Sequence, residues 1–177
     1  MLSEELCVVG SIGEVEVTRL IDQIKERLGD QLGYSHTPTN SPQIHLSVIG
    51  CSGDIGLAVG FYSWIKYNRV DLVTVGMGEL DSAALVVLLA GQERYCFRGT
   101  RFVLYGPSFT FGSKTTFHVA ELEEKLQVLE AQQSLLLGIL KSEKSLSSKD
   151  LFPLETRGLN FSDEEAVKKG IVQSIVE

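Results

Sequence analysis

At 177 residues with 44% hydrophobic side chains, the chain can bury one sizeable core but is short for two domains. Its formal net charge of -7 is spread along the sequence without a lysine- or arginine-rich block, which argues against nucleic acid or anionic lipid as a partner. No apolar run reaches the length of a membrane span, and the start MLSEELCVVG lacks a signal peptide's basic lead and long apolar stretch, so the expectation is a cytoplasmic protein with no membrane partner.

The apolar run LCVVGSI at residues 6–12 predicts a buried strand. Residues 14–30, EVEVTRLIDQIKERLGD, follow a helical period that puts Val17, Leu20, Ile21, Ile24 and Leu28 on one face. A polar, turn-rich loop at 33–43 leads to a second strand, IHLSVIG at 44–50, and CSGDIG opens a second helix over 57–68. A third strand at 71–76, a third helix at 82–91 and a fourth strand at 101–106 continue the alternation, with the short segment RYCF entering the last strand. Such repeated strand–helix units predict an α/β fold with parallel strands and a ligand site at their carboxyl ends.

From about 115 to 144 the pattern is one long helix, with Leu122, Leu126, Leu129, Leu136 and Leu140 at roughly heptad spacing. In the tail, Ser162 stands three residues before Glu165, a capping-box spacing, and Gly170 follows Lys168 and Lys169 as a helix stop. Cys7, Cys51 and Cys96 are widely spaced in apolar surroundings, which predicts reduced core thiols and neither a disulfide framework nor a metal cluster. No cofactor is expected.

The stretch TVGMGELDSAALVVLLAGQERY, residues 74–95, sets Ser82 between a glycine-rich turn with two acids and a run that reads as a buried helix. A hydrolase nucleophile stands at such a strand-to-helix turn, where backbone N–H groups are free to hold an oxyanion. The plainer reading makes Ser82 an N-cap, its hydroxyl satisfying one N–H of the first helical turn.

Taken in order, the segments GSIGE, IHLSVIGCSGDIGLAVGFY, VDLVTVGM, SAALVVLLAG, RFVLYGP and FSDEEAVKKGIV resemble the proteolytic subunit of Clp protease. That family comprises self-compartmentalising serine peptidases, peptidase family S14, on the ClpP/crotonase fold. The likeness runs from about residue 6 to 175. It implies one domain over 1–177, built as a ClpP/crotonase-type spiral of repeated ββα units. A handle helix, in the region of about 109–144, protrudes from it and stacks two rings.

Carried over by position, Ser82 falls at the nucleophile, nine residues before Gly91. The GELD turn before it is two residues longer than the family's and brings in Glu79 and Asp81. RFVLYGP aligns without a gap on the family's RxMIHQP and puts Tyr105 at the histidine, while Gly158 falls at the aspartate. Gly53 and Ala83 fall at the two oxyanion donors. A phenol holds its proton at neutral pH and is a poor general base for a serine hydroxyl, and a glycine cannot orient a base. Glu155 and Asp163 are the acids nearest the missing position, each displaced along the chain. Among His36, His45 and His118, the last is best placed, because the handle begins near the cleft in the family. A bland reading makes Tyr105 and Phe109 core or cleft-filling rings, with the Tyr105 hydroxyl bonded to a neighbour such as Asp81.

The resemblance therefore implies a ring-forming subunit, non-catalytic or strongly impaired, that assembles with itself or with an active paralogue. A Clp AAA+ ATPase and peptide or unfolded protein are its further partners. Family members carry a longer segment before their first strand, so stimulation by such an ATPase is expected to be weak. One alternative is an active ATP-dependent serine endopeptidase with Ser82 as nucleophile. A remote one is a crotonase-like acyl-CoA enzyme, for which the basic residues around a CoA phosphate are missing.

Overall fold

Each apolar run that alternates with a helical pattern becomes a strand of one parallel sheet in the computed structural model, which describes residues 5–29, 42–113, 116–143 and 158–177. Strands β1 (Leu6–Ile12), β2 (Ile44–Gly53), β3 (Leu72–Met77), β5 (Glu93–Phe97) and β8 (Ser174–Val176) pair in that order, every neighbour parallel. A second sheet joins β4 (Glu79–Leu80) in parallel to β6 (Arg101–Leu104), and β6 in antiparallel to β7 (Leu159–Ser162). Phe102 of β6 stacks on Phe161 of β7 with ring centroids 4.9 Å apart, a contact worth about 1 kcal/mol beyond its burial. This is the α/β arrangement expected from the alternation.

The helices are α1 (Glu14–Leu28), α2 (Ile55–Asn68), α3 (Ser82–Leu89), α4 (Val119–Ser142) and α5 (Asp163–Lys168). Helix α1 lays Val17, Leu20, Ile24 and Leu28 on the sheet, close to the face read from its period. Helix α3 is apolar all round and buried all round, the signature of a helix through the middle of a core. The capping box of Ser162 and Glu165 opens α5 as its spacing predicted, with Glu165 N–H donating to Ser162 Oγ and Ser162 N–H to Glu165 Oε2. Cys7, Cys51 and Cys96 are free, and burial pushes the Cys96 thiol up to about 11. Among the described residues no helix is long and apolar enough to cross a membrane.

Several details depart from the sequence expectation. CSG extends β2 instead of opening α2, since the chain stays extended where it passes Ile12. A Cβ on Gly53 would lie 2.3 Å from the Ile12 carbonyl oxygen, so only glycine fits that crossing. RYCF is part of a full strand, β5, held between β3 and β8. The extra residues before Ser82 are built into β4, where Leu80 is fully buried. The loop expected at 33–43 falls mostly outside the described residues, and His36 and Glu155 lie outside them too.

The leucine stripe on α4 divides. Leu136 and Leu140 belong to the core beneath α4, whereas Leu122 and Leu126 are exposed and Leu129 is half-buried. A helix of this length spans roughly 36 Å, so its far turns run beyond the surface that its last turns cover.

Polar anchoring completes the base of α4. Glu143, just past the last turn, accepts from Tyr62 Oη at 2.6 Å and pairs with Arg94 at 2.7 Å and Lys66 at 3.0 Å. Arg94 Nε also donates to the Ile171 carbonyl at 2.8 Å, which ties α4, α2, β5 and the C-terminal segment together. Burial opposes the charge on Glu143, but the hydrogen bonds from Tyr62, Lys66 and Arg94 and the charge of Lys66 outweigh it and hold the carboxyl below its ordinary 4.5. Burial first, and then Glu143, push the Tyr62 hydroxyl up to about 12.

Glu143→Gln leaves two cations short of a partner and should cost about 3 kcal/mol near neutral pH. Because the folded carboxyl titrates below its unfolded value, that stability is present above pH 4.5 and lost as pH falls through the folded value. Urea denaturation of both proteins across this range should show the gap closing on acidification. A gap that is constant with pH would refute the assignment.

Candidate functional site

Three backbone ends meet at one cleft of about 370 Å³. The end of β2 contributes Gly53, the start of α3 contributes Asp81 and Ser82, and the segment after β6 contributes Tyr105 and Pro107. Gln132 lines it from α4. Sequence reading did not single out Gln132, although a signal was present. It lies three residues after Leu129 and four before Leu136, a polar interruption of the leucine stripe.

Ser82 is 3% exposed, the first residue of α3. Its hydroxyl donates to the Tyr105 carbonyl at 2.6 Å and accepts from the Tyr105 N–H at 3.0 Å. The side chain therefore ties α3 to the end of β6 instead of pointing its proton at a base. It is not the N-cap. That position belongs to Asp81, whose Oδ1 accepts from the Ala84 N–H at 3.0 Å. An aspartate one residue upstream reaches the first turn's donors, which frees the serine for a tertiary bond.

Asp81 does more than cap. Its Oδ2 accepts from the Gly53 N–H at 3.1 Å, while the Ala83 N–H also bears on the carboxylate. Its own N–H donates to the Cys51 carbonyl at 3.1 Å. Burial raises its carboxyl above the ordinary range, and the N–H groups of Ala84, Gly53 and Ala83 oppose this without cancelling it. Thus one of the two backbone donors expected at an oxyanion hole, Gly53, is already engaged by a side chain of the same chain.

Tyr105 and Gly158 are brought together as a pair. A Cβ on Gly158 would come within 2.8 Å of Tyr105 Cδ1 and 2.9 Å of the Leu104 carbonyl oxygen, and φ there is +82°. The ring thus occupies the space that a side chain at 158 would need, and the backbone there favours glycine. Tyr105 is 55% exposed and Phe109 also lies open, so neither is core, but Tyr105 lines the cleft as the other half of the bland reading has it. Phe109 instead meets Phe111 edge-on at 5.2 Å, with the Lys125 ammonium 4.9 Å above its ring.

The remaining candidates stand elsewhere. His45 is exposed on β2, and His118 is exposed at the start of α4, its N–H bonded to Glu121 Oε2 at 2.8 Å. Neither lines the cleft. Asp163 accepts from the Gly99 N–H at 2.8 Å, which more than any other contact holds its carboxyl below the usual range. Among the described residues no cluster of three or more histidine, cysteine or acidic side chains could hold a metal ion.

Comparison with known proteins bears on this geometry. A family model described as Clp protease matches residues 14–177. The ATP-dependent Clp protease proteolytic subunit 2 of Treponema pallidum is 24% identical over 139 residues, 77% of this chain and 68% of that protein. Proteolytic subunit 1 of Corynebacterium diphtheriae is 29% identical over 127 residues, covering 71% of this chain and 59% of its own length. A ClpP1 mutant from Listeria monocytogenes shares the fold, with a TM-score of 0.78 over 98% of this chain and 91% of that one, at 17% identity.

The Ser82 bonds make a stability prediction. Ser82→Ala leaves the Tyr105 N–H and carbonyl without their partner in a partly buried site, and should cost about 1 kcal/mol. Chemical denaturation measures it. A stability unchanged within error would show that the hydroxyl is not the tie between α3 and β6.

Proposed function

The chain belongs to the Clp protease family, and on that premise we propose that it is a structural subunit of a ring-shaped proteolytic assembly, with no chemistry at its own site. One observation carries the reading: both hydrogen-bonding directions of the Ser82 hydroxyl are taken by the Tyr105 backbone, and no described histidine lines the cleft. A serine becomes a nucleophile when a positioned base takes its proton, help worth about 10²- to 10⁴-fold in rate. Tyr105 stands at the base position and Gly158 at the orienting one, so that help is missing.

The subunit assembles with itself or in a mixed ring with an active paralogue, and works beside a Clp-type AAA+ ATPase on peptide or unfolded protein. The far half of α4 supports the assembly. Leu122 and Leu126, one turn apart on the same face, are exposed there, an apolar surface that a lone domain in water would not favour. Leu136, buried in the subunit's own core, is not part of that surface.

Labelling with a fluorophosphonate probe and hydrolysis of short fluorogenic peptides test the catalytic half of the proposal. Wild type and Ser82→Ala should both be silent, and Tyr105→His alone should stay silent because Gly158 supplies no carboxylate. Stoichiometric labelling that vanishes in Ser82→Ala would overturn the reading in favour of a working endopeptidase.

Sedimentation at micromolar concentration tests the assembly. The expected species is far heavier than the 19.4 kDa monomer, and Leu122→Glu with Leu126→Glu should lighten it by placing charge in an apolar contact. A wild-type monomer would refute the ring.

A further inference from the structure

The extended turn before α3 carries an acid into a position that a hydrolase keeps open. Backbone N–H groups aimed at one point from two elements stabilise an oxyanion because they are fixed in advance and have no other partner. Gly53 at the end of β2 and Ala83 in α3 stand at the positions of such a pair, and Asp81 bonds to both elements, to Gly53 itself and to Ala84 next to Ala83. An N-cap needs a single oxygen on its own helix. Asp81 uses Oδ1 for that, on Ala84, and spends Oδ2 across the gap on Gly53, where a substrate acceptor would sit.

The contact is held from several sides. The Asp81 N–H donates to the Cys51 carbonyl two residues before Gly53, so the aspartate backbone is fixed to the strand whose donor its side chain takes. Leu80 beside it is fully buried, and β4 is paired to β6, which leaves the turn little room to swing aside. A carboxylate also carries the charge and acceptor oxygens that an oxyanion would bring.

We propose that Asp81 is an autoinhibitory occupant of the oxyanion hole, one that competes with a peptide carbonyl for the Gly53 donor and keeps peptide from seating in the cleft. The proposal rests on the reading of the cleft as a Clp-type site without chemistry, and deepens it. The site both lacks a base and has its acceptor position filled from within.

Asp81→Ser is the primary test, because serine still caps Ala84 but has neither the reach nor the charge to engage Gly53. Fluorescence anisotropy with a fluorescein-labelled, N-acetylated peptide should show binding up to about tenfold tighter than to wild type, the gain from one hydrogen bond freed of an internal competitor. Sodium acetate should refill the hole. It should displace the peptide from Asp81→Ser and raise that variant's Tm, relative to sodium chloride at equal ionic strength, while leaving wild type unmoved. Equal peptide affinities in two folded proteins, with no acetate effect, would overturn the proposal.

If Asp81→Ser does not fold, amide hydrogen exchange on wild type and Asp81→Asn decides instead. The Gly53 N–H should be protected in wild type without ligand and exchange faster in Asp81→Asn. Equal protection in both would overturn the proposal. Labelling of Ser82 by a fluorophosphonate would sink the reading without chemistry while leaving these binding results to stand or fall alone.

Discussion

A helix that is apolar on every face has to be surrounded, and the burial of α3 organises this molecule. Eight residues from Ser82 to Leu89 have no solvent-facing side, so α3 must run between the large sheet, α2, the small sheet and the base of α4. Each fully buried leucine or valine there stabilises the fold by about 1.5–3 kcal/mol, a large share of any domain's margin. Placing the helix fixes its first turn against the ends of β2 and β6. The cleft follows from that placement, since its walls are the backbone ends gathered around the N-terminus of α3.

The polar groups at this point then have to be satisfied inside the protein. Among the described residues no buried side-chain nitrogen or oxygen lacks a partner. Ser82 is answered by the Tyr105 backbone and Asp81 by the N–H groups of Ala84 and Gly53. A hydrolase of this design leaves its donors and its serine available to substrate and accepts the cost in stability. In this chain the Ser82 hydroxyl and the Gly53 N–H are both bonded within the protein, which favours the folded state. Tyr105 and Gly158 follow the same logic, as a ring lies over a residue with no side chain. The Glu143 cluster does at the base of α4 what Ser82 and Asp81 do at the cleft, joining distant segments through charges answered within the protein.

Most of the fold was legible because it depends on period and punctuation. The face of α1, the strands at 6–12 and 44–50, the fully apolar α3 and the cap of α5 all follow from local patterns that tertiary contacts reinforce. Residues at the cleft were legible by position, since Gly53 and Tyr105 stand at strand ends and Ser82 at a helix start. The partners were less so. That Ser82 bonds to Tyr105 across 23 residues, and Asp81 to Gly53 across 28, depends on how two sheets and a helix converge. The neighbouring pair Asp81 and Ser82 could each have capped α3. Only the bond geometry assigns the cap to the aspartate and the tertiary tie to the serine.

By itself, then, the amino-acid order determined the alternation of strands and helices, the buried character of α3 and the lack of histidine and acid where Tyr105 and Gly158 stand. Those are properties of single residues and of spacing along one chain. The tertiary structure decided which leucines of α4 are core and which are open. It also turned an apparent insertion into strand β4, and it set the Asp81 carboxylate on the backbone donors of another element. The physical reason is that hydrogen bonds and burial between distant segments depend on ångström-scale approach, which the packing of the whole fold sets and no local pattern encodes.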